Sequence, residues 1–163
     1  MKKLLYLLIS LIMLSCSDDD DKTEDINFYG ITETDDSARQ LGNVDYSDWL
    51  PFGIPLDSSS VNDSGAVHII PHESSPSPAY PNPFNVITTL PISLNSQSTV
   101  SIKIWKDKNT MISQAIDRQV MNPGMYSINV GLPNKEPGIY RVTFDVINKG
   151  KEYHSFGDIK LVK

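Results

Sequence analysis

The sequence predicts an all-β protein, a small antiparallel sandwich occupying the C-terminal half of the chain. Three observations carry this expectation. Apolar and polar residues alternate repeatedly from Tyr80 onward, the alternating stretches are separated by Asn, Asp, Pro and Gly turn chemistry, and no apolar period of 3.6 residues is long enough for a crossover helix. The 163 residues, 39% hydrophobic and 21% charged, leave room for one modest domain with appendages.

The strands are placed by their period of two. Val86, Thr88, Leu90, Ile92 and Leu94 share one face, although Pro91 interrupts the run; Val100, Ile102 and Ile104 then alternate with Ser101, Lys103 and Trp105. Met111 to Ile116 is a weaker strand. Tyr126, Ile128 and Val130 alternate with Met125, Ser127 and Asn129, and Tyr140, Val142, Phe144 and Val146 with Arg141, Thr143 and Asp145; Ile159 and Leu161 belong to the last strand. The separators are Asp107-Lys108-Asn109, Asn122-Pro123-Gly124, Asn134 to Gly138 and Asn148-Lys149-Gly150. Six strands are one short of the usual seven of such sandwiches, and the apolar patch Val67 to Ile70 is the candidate for an added edge strand or else part of a linker.

The N-terminus reads differently. Lys2 and Lys3 precede Leu4 to Leu14, in which Ser10 is the one polar residue, and Ser15-Cys16 follows. A charged start, an apolar stretch shorter than the roughly 20 residues of a membrane span and a small residue before a cleavage point make residues 1–15 a signal peptide. Because the single cysteine stands at the cleavage position, the arrangement resembles the lipobox of bacterial lipoproteins, with Met13 where Leu is usual. The resemblance implies lipidation at Cys16 and a membrane partnership through that anchor. The alternative is an ordinary secreted protein. Ser17, Asp18, Asp19, Asp20 and Asp21 follow directly, and they resemble the lipoprotein export signal of Bacteroidota, which implies the outer membrane or cell surface. A generic acidic spacer on a periplasm-facing lipoprotein is the competing reading.

Residues 16–79 are expected to be an acidic, Ser/Pro-rich, disordered tether and linker. From Ser17 to Ala79 there are fourteen acidic and two basic residues, whereas Tyr80 to Lys163 holds six acidic and ten basic. Exposed charges more than about 10 Å apart are largely screened, so charge alone gives loose association between the two parts. The modest positive balance of the C-terminal part does not argue for nucleic acid. Within the tether, Val44 to Leu56 mixes Trp49, Phe52 and aliphatic residues with prolines and has no regular period. Either Trp49 and Phe52 dock in a groove of the following domain, or the segment is displayed for another protein.

Tyr80-Pro81-Asn82-Pro83-Phe84-Asn85 opens the strand-rich part. With Val100 to Ile104, Pro123-Gly124-Met125-Tyr126, Pro137-Gly138-Ile139-Tyr140 and the basic-flanked end at Lys163, this stretch resembles the type A C-terminal sorting domain of type IX secretion and the related flagellar hook-capping, immunoglobulin-like family. The resemblance covers residues 80–163. It implies an immunoglobulin/fibronectin III-like β-sandwich, sorting-motif roles for Tyr80 to Asn85, Gly138, Tyr140 and Lys163, and secretion-machinery proteins as partners. Val86 stands where the family has a proline, and the loop from Gly131 to Glu136 is short for it.

No catalytic, cofactor or metal site is expected. None of the three histidines lies beside a Gly-x-Ser-x-Gly element. His68 and His72 flank Pro71 and would lie about 13 Å apart in extended chain, and Asp45, Asp48, Asp57 and Asp63 lack EF-hand spacing. The expected function is a non-catalytic cell-envelope lipoprotein with a sorting-like domain, acting in secretion or surface display. A surface binding module for a protein or glycan is the alternative, and a hook-cap-like assembly part is a third.

Overall fold

A computed structural model describes residues 30–52 and 74–163. Its strands are β1 (Ser75–Pro76), β2 (Ile87–Leu94), β3 (Ser98–Trp105), β4 (Met111–Met121), β5 (Gly124–Gly131), β6 (Gly138–Asn148) and β7 (Lys151–Leu161). They form a β-sandwich of two antiparallel sheets, ordered β1-β2-β5 and β4-β3-β6-β7. The chain changes sheets at the β2–β3, β4–β5 and β5–β6 connections.

Alternation decides which faces meet. Thr88, Leu90, Ile92 and Leu94 of β2 and Val130 of β5 face Val100, Ile102 and Ile104 of β3, Tyr140 to Val146 at every second position of β6, and Ile159 and Leu161 of β7. Burying this apolar surface is the main driving force for closing the two sheets on each other. Val86 departs from the expectation: it lies before β2 and is 73% exposed. The chain is still crossing from the β7 edge there, since Phe84 is bonded to the backbone of β7 and the ladder with β5 begins only at Ile87. Pro91 does not interrupt β2 either. Its carbonyl accepts from the Ser77 N–H on the β1 side, so its missing donor faces that short neighbour and the β2–β5 ladder runs unbroken from Ile87 to Leu94.

The turns are built as their residues dictate. Lys149 and Gly150 both have positive φ, 48° and 76°, as a two-residue type I′ connection between β6 and β7 requires. The Asp107 carboxylate accepts from the N–H groups of Asn109 and Thr110, which closes the β3–β4 turn. Asn148 Nδ2 donates to the Ser96 and Ser98 hydroxyls and the Gln97 carbonyl, tying the β6–β7 turn to the β2–β3 turn.

Two corners share one device. In Asn122-Pro123-Gly124-Met125-Tyr126 and in Glu136-Pro137-Gly138-Ile139-Tyr140, the tyrosine hydroxyl donates to the carbonyl of the residue before proline, at 2.7 and 2.6 Å. Each tyrosine thereby locks the entry to a strand, β5 or β6. Tyr140→Phe is expected to lower stability by about 1 kcal/mol and Tyr126→Phe by less, since only Tyr140 is buried; urea unfolding of both variants checks the order.

The packed unit reaches beyond the expected domain boundary at Tyr80. Ser75 and Pro76 pair with Ser93 and Ile92, Ala79 is buried, and Trp49 and Phe52 belong to the core. Residues 30–52 and 74–79, assigned to the tether by their charge and prolines, are therefore part of the folded body. The seventh strand is Ser75–Pro76. The proposed edge strand Val67 to Ile70 lies outside the described residues, as do His68 and His72.

Candidate functional site

Residues 80–84 form a knot at the edge of β7. Tyr80 pairs with Thr89 through two backbone bonds, and Asn82 pairs with Thr34 in the same way. The Phe84 N–H donates to the Lys160 carbonyl while Val162 donates back to Phe84. The Pro81 carbonyl accepts from the Thr88 hydroxyl at 2.8 Å. Two prolines in five residues leave few donors to satisfy, which suits a segment that bonds to a different neighbour at each step.

Asn82 is the centre of the knot. Its side chain is fully buried, and its Nδ2 donates to the carbonyls of Thr32 and Asp158, both at 3.0 Å, while its Oδ1 accepts from the Lys160 N–H at 2.9 Å. One amide thus joins three segments far apart in sequence: the stretch near residue 32, the proline-rich turn and β7. An amide suits the position because a buried site that offers two acceptors and one donor needs both kinds of group.

Among the sorting-motif residues, Phe84, Gly138 and Tyr140 come together. Phe84 bridges Leu161, which pairs with Gly138, and Tyr140 pairs with Ile159 one step further along. Tyr80, Pro81 and Pro83 are half-buried, while Asn85 and Lys163 are exposed and stand apart from this cluster. Cys16 and Ser17 to Asp21 lie outside the described residues.

Upstream of the knot, residues 45–52 form a strap over the remaining open edge of β7. Trp49 N–H donates to the Phe156 carbonyl at 2.7 Å, and the Ser155 hydroxyl donates to the Leu50 carbonyl at 2.6 Å. Trp49 has φ 59°, in the left-handed region, where the strap turns between Asp48 and Leu50. The indole enters the core at 6% exposure, edge-on to Phe144 with ring centroids 6.0 Å apart. It fills the place where Gly157 has no side chain: a Cβ there would lie 2.2 Å from the Trp49 ring. Phe52 packs on Phe144 from the same side, and its N–H donates to the Ser74 carbonyl. Of the two readings of this segment, the structure shows docking.

Asp48 lies beside a buried ion pair. Arg141 of β6 makes a two-pronged contact with Asp158 of β7, Nε to Oδ1 at 2.8 Å and Nη2 to Oδ2 at 2.7 Å, and stacks over Phe156 at 4.3 Å. Asp48 Oδ2 accepts from the Asp158 N–H at 3.1 Å, but Asp48 Oδ1 is buried with no donor facing it. Burial, then the Asp158 charge, push the Asp48 carboxyl up to about 7. Asp158 is also raised, chiefly by burial, with its bond to Arg141 pulling the other way.

A groove of about 620 Å³ opens beside the strap, lined in part by Glu33, Val44, Asp45, Tyr46, Ile139 and Lys160. Its carboxylates are engaged locally, Asp45 by the Ser47 N–H and hydroxyl and Glu33 by the Asn43 N–H, so they brace the loop.

Sequence reasoning missed the Asp48, Arg141 and Asp158 cluster and the Gly157 socket. Gly157 inside a strand is the signal that could have pointed to the socket, since a strand glycine marks a place where something approaches the backbone closely. Nothing in sequence placed Asp48 next to a residue 110 positions away.

The fold and the site define a class: an antiparallel β-sandwich whose last strand is covered by a proline-rich knot and an upstream aromatic strap. No family model matches the chain, and neither a curated protein nor a solved structure does.

Proposed function

We propose that this chain is a non-catalytic cell-envelope lipoprotein, anchored through Cys16 at the outer membrane or cell surface, whose sandwich is related to the type A sorting domain and serves in secretion or surface display. The observation that supports this reading is the strap. Trp49 and Phe52, which lie between the anchor position and the motif at Tyr80, are core residues of the sandwich. A domain that takes core residues from the tether side is suited to being kept and presented on its anchor, because release at the motif would remove those residues from its interior. The mildly basic sandwich and the acidic segment before it then travel as one unit.

Mass spectrometry of the mature protein, reading both termini, tests the reading. The expected result is a lipid-modified Cys16 and an intact Lys163 on the same molecule, and a Cys16→Ala chain that no longer partitions with membranes. A mature form that ends near Ala79, or a Cys16→Ala chain that keeps its membrane partition and lipid mass, would overturn it.

A further inference from the structure

We propose that seating of the strap on β7 is coupled to the uptake of one proton by Asp48, so that residues 45–52 act as a latch that tightens as the surroundings acidify. The inference rests on how charges are arranged. Three carboxylates converge here: Asp45 and Asp48 from the strap and Asp158 from β7. One guanidinium, Arg141 of β6, faces them, and its fork is engaged with Asp158. Asp48 is 6% exposed, and one of its two oxygens meets no donor. A carboxylate held in that way carries a buried charge that one backbone N–H and a guanidinium already engaged with Asp158 only partly compensate, whereas a carboxylic acid carries none.

The location makes the proton consequential. Asp48 directly precedes Trp49, and its bonded oxygen, the Trp49 N–H and the Leu50 carbonyl are three consecutive attachments to β7. Losing the proton therefore stresses the contact that positions the indole over Gly157.

Asp48 has an ordinary value of 3.8 when undocked and about 7 when docked, so docking is strongest below pH 4 and weakens as pH rises toward 7. Above that value the dependence levels off, since Asp48 is ionised in both states. Asp158 is shifted in the same direction, chiefly by burial, with its bond to Arg141 opposing the shift.

The test uses the full chain in a Trp105→Phe background, which leaves Trp49 as the single indole. Its emission, together with hydrogen exchange at the Trp49 amide corrected for the intrinsic rate, is followed from pH 5 to pH 9. The opening constant is expected to rise about tenfold between pH 6 and pH 8, with the indole emission moving to the red. Asp48→Asn keeps an acceptor for the Asp158 N–H and mimics the neutral acid; it is expected to flatten the profile to less than about a twofold change. An unchanged slope in Asp48→Asn would assign the proton elsewhere and overturn the proposal. A pH-independent Trp49 amide in the unsubstituted strap overturns it as well, with no variant needed.

Discussion

Trp49→Ala is expected to lower the unfolding free energy by about 3–5 kcal/mol, the cost of emptying a large aromatic site in a core. The indole is packed edge-on to Phe144 and lies where Gly157 has no Cβ, and removing it leaves a cavity that rigid strands on two sides cannot close. Two companion variants make this specific to the socket. The indole Nε1 is buried without an acceptor, so Trp49→Phe gives up no hydrogen bond and is expected to cost less than about 1.5 kcal/mol. Gly157→Ala should be damaging beside Trp49, because its new methyl meets ring carbons within 2.5 Å, and close to neutral once Trp49 is alanine. Urea unfolding of the four proteins in this double-mutant cycle measures the coupling, and additive effects would show that the two residues do not share a site.

Asn82→Ala is the second large effect. It removes three hydrogen bonds at once and strands the Thr32 and Asp158 carbonyls and the Lys160 N–H in a buried place. Each unpaired buried group costs about 1–3 kcal/mol, so a loss of at least about 3 kcal/mol is expected. Asn82→Asp should be no better, since it turns an oxygen toward two carbonyl oxygens in place of a donor. Chemical denaturation followed by circular dichroism gives the value. A loss below about 1 kcal/mol would mean that water replaces the amide and that the knot is looser than its geometry.

Where one face of a strand is buried and the other is not, the strand was legible. That covers β2, β3, β5 and β6, whose inward residues are those picked out by period two. β7 was read only at Ile159 and Leu161, and the reason is the strap. The inward positions before them are Ser155 and Gly157, small or polar because Leu50 and Trp49 lie over them, so the apolar alternation stops where the strap begins. β4 was underestimated for a different cause. Its pairing with β3 shifts register at several points, and Arg118 has φ 45°, so the buried Ile116 and Met121 fall on opposite parities. β1 has two residues, one a proline, and carries no periodic signal.

The candidate site was legible in part for similar reasons. Tyr80 to Phe84 stood out because two prolines in a short run restrict the chain, and Trp49 because a lone indole among prolines needs a burial place. The partners were not legible. Asn82 bonds across 50 and 76 positions, and Asp48 sat in a stretch whose net charge argued for solvation. Net charge describes a segment as a whole, whereas burial is decided residue by residue once the sandwich offers a socket.

The residues before the motif complete the sandwich, which a cut in the intervening segment tests directly. Replacing Ser58-Ser59-Ser60 with a recognition sequence for a specific protease allows the chain to be cut there after folding. If residues 30–52 are core, the two pieces stay together through gel filtration and native mass spectrometry and part only in denaturant. Pieces that separate on cutting, with the C-terminal piece keeping the unfolding midpoint of the intact chain, would contradict it.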